Sequence, residues 1–371
     1  MFDRAEAVAR WARVRQLMED QDIDVLVAID WSRDEILRGN QRWLTGYIPI
    51  GGPAAALLDR DGTVELISDR IGKPVSDYYT AHEFPIELVN GFSPSLLVER
   101  IARRNPSRLG VAETESFPWT IAAALDSRSP APQLVDVSGS LERLRLRKSA
   151  QEIALVRRGC EIADAVWEHV PEIFKIGRRN REIVADIDHL VRLEGAEGGF
   201  HLVLPVPFRG RPMQSLANPE RIEANARYLV EISPRYDGYY SQVTIPVTTR
   251  PDDKDMWRAY EDLVEVKQAV QPDMRPGADL SEIARSVEKL LAKRGHTMKS
   301  LSLGHFCGMA LEEPRHDPTV PFELEEGMTL IFHPILADEE FVALMRADTY
   351  LITERGAERL TRYEGAKVTL S

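Results

Sequence analysis

The stretch YLVEISPRYDGYYSQVT, residues 228–244, places two apolar runs on either side of the dipeptide Asp237-Gly238. Asp-Gly between two such runs is a strong signal for the tight turn of a β-hairpin. The stretch is therefore predicted to form two antiparallel strands, the second beginning at Tyr239. Tyr239 and Tyr240 should face opposite sides of the hairpin because side chains alternate along a strand.

The hairpin belongs to an arrangement that occurs twice in the second part of the chain. Two helical patterns between residues 150 and 194 precede strand signals between about 200 and 247. Two helical patterns between 255 and 294 likewise precede strand signals between about 300 and 353. We expect two halves, each a pair of helices followed by strands, that face each other across a shared sheet.

The first 140 or so residues alternate helical and strand patterns. An apolar helical stripe near the start precedes the continuous run Val25–Ile29, which is predicted to be a buried strand. Such alternation favours a small α/β domain. Further short strands are predicted at residues 54–58, 64–68 and 109–112, with helices near 95–104 and 119–125.

A long helix is predicted from Leu141 onward, over the run LERLRLRKSAQEIALVRRGCEIADAVWEHV. The basic cluster at its start marks the domain boundary. We therefore expect a chain of class α/β (α+β), with a small α/β domain at residues 1–142 and a second domain at residues 143–371.

Composition narrows the possible partners. The 371 residues are 43% hydrophobic and 29% charged, which is typical of a globular chain. A formal net charge of -12 and a pI near 5.3 argue against a nucleic-acid partner. No apolar run approaches the roughly 18 to 20 residues that span a bilayer, and the start lacks the apolar core of a signal peptide. A cytoplasmic location without membrane attachment is expected.

The two cysteines, Cys160 and Cys307, cannot form a framework of disulfide bridges. No CxxC or Cys/His spacing suggests structural zinc. Both cysteines are therefore predicted to be reduced thiols.

Several segments carry a resemblance to a known family. They are YLVEISPRYDGYYSQVT (228–244), LGHFCGMALEEP (303–314), EEGMTLIFHP (325–334) and MRADTYLIT (345–353), supported by RWLTGY (42–47) and LRLRKSAQEI (144–153). Read together, they resemble the metallopeptidase family of methionine aminopeptidase, aminopeptidase P, prolidase and creatinase. The resemblance spans nearly the whole chain and implies a pita-bread catalytic domain after a creatinase/prolidase-like N-terminal domain.

The resemblance also implies where metal ligands would fall. In that family two aspartates eleven positions apart, a histidine and two glutamates bind two divalent metals. The resemblance places the aspartates at Glu231 and Gln242 and retains the histidine as His305. It places the glutamates at His333 and Ala347. Because both bridging carboxylates are lost, we expect no dinuclear centre.

Two further histidines of the family are replaced, by Leu216 upstream of Asn218-Pro219 and by Glu312. The first position is the one at which creatinase carries its catalytic histidine. The creatinase reaction itself is therefore not expected, although a site that works like that of creatinase, without a metal, is expected.

The leading prediction is a metal-independent hydrolase or lyase that cleaves a C–N bond of a small polar substrate without a cofactor. The resemblance to creatinase implies that this fold can do so. His305 and His333 would exchange protons as general base and general acid, with Glu231 holding the substrate and Glu313 also in the catalytic group. The residues expected to bind substrate are Gln242, Tyr240, His201, Arg346 and Asp348.

Two alternatives stay open. In the first, Glu231, His305 and His333 form a two-histidine, one-carboxylate set for a single zinc or Fe(II) ion. In the second, the chain is a binding module that has lost catalysis and is a peptidase only by homology, since fold alone does not fix activity.

Two loops suggest contacts beyond the catalytic cluster. Arg209 and Arg211, in PFRGRPM, are candidates for binding a substrate carboxylate. The charged loop Asp30–Asn40 precedes RWLTGY. The resemblance implies that such a loop covers the cavity of a partner subunit, so a homodimer is expected.

Overall fold

The computed structural model describes residues 2–31, 39–49, 51–208, 220–313, 317 and 320–364. The backbone divides into two compact units, residues 1–145 and 146–371, close to the predicted boundary. The charged segment at 32–38, Arg209, Arg211, Leu216 and Asn218-Pro219 lie outside the described residues.

In its described part, the first unit combines six α-helices with one six-stranded sheet. Its helices are α1 (Arg4–Asp20), α2 (Asn40–Thr45), α3 (Lys73–Ala81), α4 (Pro94–Arg104), α5 (Trp119–Asp126) and α6 (Ser138–Leu146). Its strands are β1 (Val25–Asp30), β2 (Ala54–Asp59), β3 (Val64–Ser68), β4 (Ile86–Asn90), β5 (Arg108–Val111) and β6 (Gln133–Asp136).

The sheet of the first unit has the order β4-β3-β2-β1-β5-β6. Strand β1 is antiparallel to β2 and parallel to β5, so the sheet is mixed and the predicted α/β class of this unit is confirmed. The four strands predicted from apolar runs are all present. Edge strands β4 and β6 were not predicted because their residues are mostly exposed or half-buried and give no continuous apolar run.

Among its described residues, the second unit contains four α-helices and eight strands. Its helices are α7 (Ala150–Ile173), α8 (Asn180–Leu193), α9 (Lys254–Val270) and α10 (Leu280–Ala292). Its strands are β7 (Gly198–Val206), β8 (Arg227–Tyr236), β9 (Tyr239–Tyr240), β10 (Val243–Thr248), β11 (Gly304–Phe306), β12 (Thr329–Phe332), β13 (Asp348–Thr353) and β14 (Gly356–Arg359).

The strands of the second unit form two antiparallel sheets of four. One has the order β10-β8-β7 with β9 paired to β8, and the other has the order β11-β12-β13-β14. Each sheet follows one pair of helices, as the twofold pattern in the sequence predicts. A single hydrophobic cluster joins the helices to both sheets, with Trp167 of α7 and Leu263 of α9 among its fully buried members.

The long helix predicted from Leu141 is wrong, because the chain forms α6 and α7 with a break between them. Ser149 caps α7: its hydroxyl accepts a hydrogen bond from the Glu152 backbone N–H at 3.2 Å. The Glu152 carboxylate in turn accepts from the Ser149 backbone N–H at 2.8 Å. This capping box starts a new helix, and its Ser-x-x-Glu spacing is visible in the sequence.

The hairpin turn at Asp237-Gly238 is confirmed. Both residues have positive φ, 44° and 91°, as a type I′ turn requires. Strands β9 and β10 pair with β8 in the same register. The hydrogen-bond ladder between them is interrupted at Pro234, which has no N–H to donate. Ser241 therefore pairs only through its own N–H, which donates to the Pro234 carbonyl at 3.2 Å.

Gly304 at the start of β11 permits the close pairing of β11 with β12. Its φ is 126°, and a Cβ at this position would lie 2.0 Å from the Ile331 carbonyl oxygen. We expect Gly304→Ala to lower the free energy of unfolding by at least about 2 kcal/mol, since both φ and the backbone contact oppose a side chain.

Gly295→Ala is the matched control for this substitution. Gly295 also has positive φ, 88°, but a Cβ there would meet nothing within 4 Å. It should therefore cost only the conformational penalty of about 1 to 2 kcal/mol. Equal losses for the two variants in urea unfolding would contradict the steric argument.

Candidate active site

The hairpin β8–β9–β10 presents a row of polar side chains on one face. Glu231 lies opposite Thr244 in the β8–β10 register, and continuing this register places Ser233 opposite Gln242. Tyr239 lies on the other face, where its hydroxyl donates to Glu152 of α7 at 2.7 Å. The predicted opposite facing of the two adjacent tyrosines is thus confirmed, and Tyr240 shares the face of Glu231.

The second sheet contributes two histidines to the site. His305 of β11 lies opposite Ile331, and His333 follows β12 two positions later, so both rings lie on one face. Their ring centroids are 5.2 Å apart with an interplanar angle of 67°. The His305 Nδ1 atom lies 3.3 Å from the Phe306 carbonyl oxygen.

Hydrogen bonds between the two sheets hold these faces side by side. Thr244 and Ala347 exchange backbone N–H···O bonds, each of 3.1 Å. The Gln242 backbone N–H donates to the Thr349 hydroxyl at 2.9 Å, and this hydroxyl donates to the Gln242 carbonyl at 3.0 Å. The five positions that the family resemblance assigns to metal ligands therefore share one face of the joined sheets.

Glu231 is a buried carboxylate whose side chain makes no ion pair with a lysine or arginine among the described residues. It is 7% exposed and accepts a hydrogen bond from the Ser233 hydroxyl at 3.3 Å. Burial, together with the negative charge of Glu312, raises the pKa of Glu231 to about 7. The cavity side of this sheet therefore favours a positive group close to Glu231.

Gln242 is positioned by its neighbours on both strands. Its side-chain amide N–H donates to the Thr244 hydroxyl at 3.1 Å. Its amide oxygen accepts no hydrogen bond from the described residues, which leaves it as an acceptor for a bound molecule. Binding of substrate by Gln242 stays a prediction from the sequence.

Glu313, predicted as catalytic, is engaged in a buried ion pair instead. Its carboxylate accepts from the Lys148 ammonium at 3.0 Å and from the Ala310 backbone N–H at 2.9 Å. The side chains of Lys148 and Glu313 are 1% and 3% exposed. These contacts indicate that Glu313 orders the turn after β11, and they argue against the predicted catalytic role.

Arg346 and Asp348, predicted to bind substrate, lie on the opposite face of their strand. The Arg346 guanidinium donates to the Asp348 carboxylate at 2.6 Å and to the Tyr260 hydroxyl at 3.0 Å. The Lys267 ammonium of α9 donates to the other Asp348 oxygen at 2.6 Å. Because α9 packs against this face, these two residues are separated by the sheet from Glu231 and the histidines.

His201 also lies away from the site. It is opposite Ile232 in the β7–β8 register, whereas Leu202 is opposite Glu231. Its Nδ1 atom accepts from the Ser233 backbone N–H at 3.2 Å, and its charged neighbours are Asp188 and Arg192 of α8. Burial lowers the pKa of His201 to about 4, so the ring is neutral at physiological pH.

The two thiols are buried and free, in agreement with the prediction that they are not bridged. Burial raises the pKa of Cys307 to about 12 and that of Cys160 well above its ordinary value. Neither is a thiolate near neutral pH, so neither is a nucleophile as placed.

Some positioning residues were not predicted from the sequence. Ser233, Thr244 and Thr349 have no charge and no distinctive spacing, and only the strand register shows that they contact Glu231 or Gln242. The Ser and Thr positions at alternate places on the hairpin are the one signal that could have indicated them.

Comparison with known proteins identifies the family of the chain. The sequence model of metallopeptidase family M24 matches residues 154–354, and that of the creatinase/prolidase N-terminal domain matches residues 10–147. Because the first match covers more than half of the chain, the protein belongs to metallopeptidase family M24. As a member of a peptidase family, it is a hydrolase.

Two named relatives are similar to the chain over most of their length. The Xaa-Pro dipeptidase of Pyrococcus horikoshii is 25% identical over 95% of this chain and 96% of its own. The Xaa-Pro dipeptidase of Pyrococcus furiosus is 28% identical over 86% of this chain and 88% of its own. The solved structure of the prolidase from Pyrococcus horikoshii OT3 superposes with a TM-score of 0.81 at 22% identity, covering 97% of this chain and all of that one. The pita-bread fold is thereby confirmed.

These comparisons contradict two predictions from the sequence, the metal-independent reaction and the absence of a cofactor. The family is one of metallopeptidases, and two relatives that match most of the chain are named Xaa-Pro dipeptidases. Both predictions rested on the neutral residues Gln242 and Ala347. Those residues remove two carboxylates, but the imidazoles of His305 and His333 and the carboxylate of Glu231 remain. Imidazole and carboxylate are both groups that bind metal ions in proteins.

Within the described ranges, no three His, Cys, Asp or Glu side chains already surround a common point as a metal ion would require. No helix in the same ranges is long and apolar enough to cross a membrane.

The placement of His201 predicts a pH dependence of stability. Its pKa is about 4 in the folded chain against an ordinary value of 6.5, so between these values the unfolded chain binds a proton that the folded chain does not. Stability therefore falls as the pH falls from 6.5, by about 2 kcal/mol at pH 5 from this residue.

His201→Asn should remove this contribution, because asparagine can accept from the Ser233 N–H but does not titrate. Urea unfolding of both proteins at pH 7.5 and pH 5 measures the difference. The variant should lose less stability on acidification than the wild type. An equal loss would show that the His201 ring is protonated in the folded state.

Proposed function

We propose that the protein is a mononuclear metallohydrolase that cleaves the amide bond of a small peptide. The observation that carries this proposal is the pair of imidazoles, His305 and His333, on the same face as the buried carboxylate Glu231. Two imidazoles that share one tetrahedral ion, with metal–nitrogen bonds of about 2.0–2.1 Å, have ring centroids about 5 Å apart. The observed separation of 5.2 Å fits this arrangement.

The donor set suits one ion better than two. Two cations close together need shared carboxylates, and the positions where the resemblance places bridging carboxylates hold Gln242 and Ala347. The histidines and Glu231 would instead supply two neutral donors and one negative donor to one ion. Across the joined sheets, Thr244 and Ala347 lie between Glu231 and His333. Both side chains are small, which leaves room for a ligand above this face of the sheets.

A bound divalent ion supplies Lewis acidity, which polarises the carbonyl of an amide substrate. The surrounding residues bind and orient that substrate. Gln242 offers its amide oxygen to a substrate N–H, and the Gln242 side chain is itself held by Thr244. Glu312 adds negative charge close to Glu231, and this charge favours a substrate with a protonated amino group.

A short peptide with a free amino terminus matches these features. The similarity to Xaa-Pro dipeptidases supports this class of substrate and makes Xaa-Pro dipeptides the first compounds to assay. The homodimer in which the first domain covers a partner's site, and the cytoplasmic location, stay predictions from the sequence.

Metal stoichiometry tests the proposal directly. Protein stripped with a chelator and then dialysed against zinc should bind about one ion per chain, measured by mass spectrometry of the metal. His305→Ala and His333→Ala should each lower the zinc affinity by at least about tenfold, since each removes one ligand, and should abolish Xaa-Pro hydrolysis. Glu231→Gln should weaken zinc binding as well if the carboxylate is a ligand.

His201→Asn is the matched control, because it removes an imidazole of the same domain from the opposite face of the sheet. It should bind zinc as the wild type does. Absence of zinc binding by the wild type, or equal zinc loss in all histidine variants, would overturn the proposal.

A variant with restored carboxylates tests why only one ion is expected. The fourfold change Glu231→Asp, Gln242→Asp, His333→Glu and Ala347→Glu recreates the ligand pattern of the resemblance on the same backbone. Titration with cobalt should give about two ions per chain for this variant and about one for the wild type. Two cobalt ions in the wild type would contradict a mononuclear site.

A further inference from the structure

A cavity of about 190 Å³ lies on the helix-facing side of β13, away from the candidate active site. Side chains from α9, β13, β14 and the segments that flank them line it. Those that matter here are Lys267, Arg346, Asp348, Tyr350, Arg359 and Glu364. We call it the Lys267 cavity.

The buried part of this lining contains more positive than negative charge. Lys267, Arg346 and Asp348 have side chains that are each 2% exposed. The Asp348 carboxylate accepts from both cations at 2.6 Å, and from the Thr361 hydroxyl at 2.9 Å. One carboxylate therefore faces two cations in a region from which water is largely excluded.

Two donors in the Lys267 cavity remain without an acceptor in the described part of the chain. The Lys267 ammonium has three N–H groups, and two of them donate to Asp348 and to the Arg346 carbonyl oxygen. No oxygen of a described residue accepts the third, although the ammonium also lies 5.4 and 5.5 Å from the ring centroids of Phe332 and Tyr350. The Tyr350 hydroxyl also has no hydrogen-bond partner among the described residues, although Tyr350 is only 2% exposed. Because Tyr350 lines the cavity, its hydroxyl can donate to a ligand there that accepts.

A surface carboxylate already occupies the outer side of the cavity. Glu364, whose side chain is 75% exposed, pairs with the Arg359 guanidinium, which is 22% exposed. Asp164 lies close by but does not line the cavity; it accepts the backbone N–H groups of Arg362 and Tyr363. Because an exposed ion pair contributes little to stability, Glu364 can leave Arg359 at low cost.

We propose that the Lys267 cavity binds a small dianionic oxyanion, of the class of inorganic phosphate, which displaces Glu364 from Arg359. With Glu364 turned outward, the lining carries three cations against one carboxylate. The donor groups of the lining are then the Arg359 guanidinium, the Lys267 ammonium and the Tyr350 hydroxyl. All three are donors, so a ligand with several acceptor oxygens fits and a metal cation does not.

Isothermal titration of the metal-free full-length protein with sodium phosphate at pH 7 tests this site, with sodium chloride at matched ionic strength as the reference. The wild type should show saturable binding of about one phosphate per chain. Arg359→Gln should weaken binding by about tenfold or more, and Tyr350→Phe by about two- to tenfold. Glu364→Gln should tighten binding, since it removes the competing carboxylate.

Arg157→Gln is the matched control. Arg157 pairs with Glu358, the residue before Arg359, through contacts of 2.7 and 2.6 Å on the protein surface. The variant changes the net charge as Arg359→Gln does but leaves the cavity intact, so phosphate binding should be unchanged. Equal weakening in the two variants would show a general effect of charge and overturn the site.

His333→Ala separates this proposal from that of the metallohydrolase. Phosphate binding that persists in His333→Ala supports the Lys267 cavity whether or not the protein holds a metal ion. Loss of phosphate binding in that variant would place the phosphate at the candidate active site instead. Absence of saturable binding in the wild type up to millimolar phosphate, or no tightening in Glu364→Gln, would also contradict the proposal.

Discussion

Hydrogen bonds between Thr244 and Ala347, and between Gln242 and Thr349, join the two small sheets of the second unit. Every feature of the candidate active site depends on this junction. Glu231 belongs to one sheet and the two histidines to the other, so neither sheet alone contains a set of metal donors. Two of these bonds join backbone atoms of Thr244 and Ala347, so that part of the junction tolerates sequence change.

This tolerance explains how the fold persists while the ligands differ from those the family resemblance implies. The side chains of Gln242 and Ala347 lie at the junction, yet the bonds that close it use the Gln242 backbone, the Ala347 backbone and the Thr349 hydroxyl. Replacement of a carboxylate at either position therefore removes charge from the cavity without breaking the connection. Loss of carboxylates at such positions says little about whether the protein still binds a metal, and for this reason the metal-independent prediction was wrong.

The sequence predicted most of the fold and roughly half of the candidate site. Alternation along a strand places Glu231 and Thr244 on one face, and the Asp-Gly turn fixes their register, so this part of the site follows from local rules. The positions of His201, Arg346 and Asp348 did not follow. Residues far away in the sequence, such as Asp188 of α8 and Lys267 of α9, decide which face of a strand contacts a helix. No local sequence pattern identifies these partners.

Glu313 illustrates the same limit from the other direction. It was predicted to be catalytic as one of the residues around the metal-ligand positions that the family resemblance implies. Its partner, Lys148, lies 165 positions earlier in the chain, just before the capping box that starts α7. A buried carboxylate that has such a partner is held as a structural ion pair, whereas Glu231, which makes no ion pair with a lysine or arginine in the described ranges, retains its capacity to bind an added cation.

The segment from Arg346 to Thr349 shows how one strand serves both faces of a sheet. Ala347 and Thr349 face the candidate active site, and Arg346 and Asp348 face α9. Strong charges are thus confined to the helix side, where Lys267 and Arg346 together hold the pKa of the Asp348 carboxyl well below its usual range. The buried charge that fixes the strand against α9 is kept out of the cavity by alternation alone. The residues at the metal-ligand positions can therefore change while the contacts of Arg346 and Asp348 with α9 keep β13 in place.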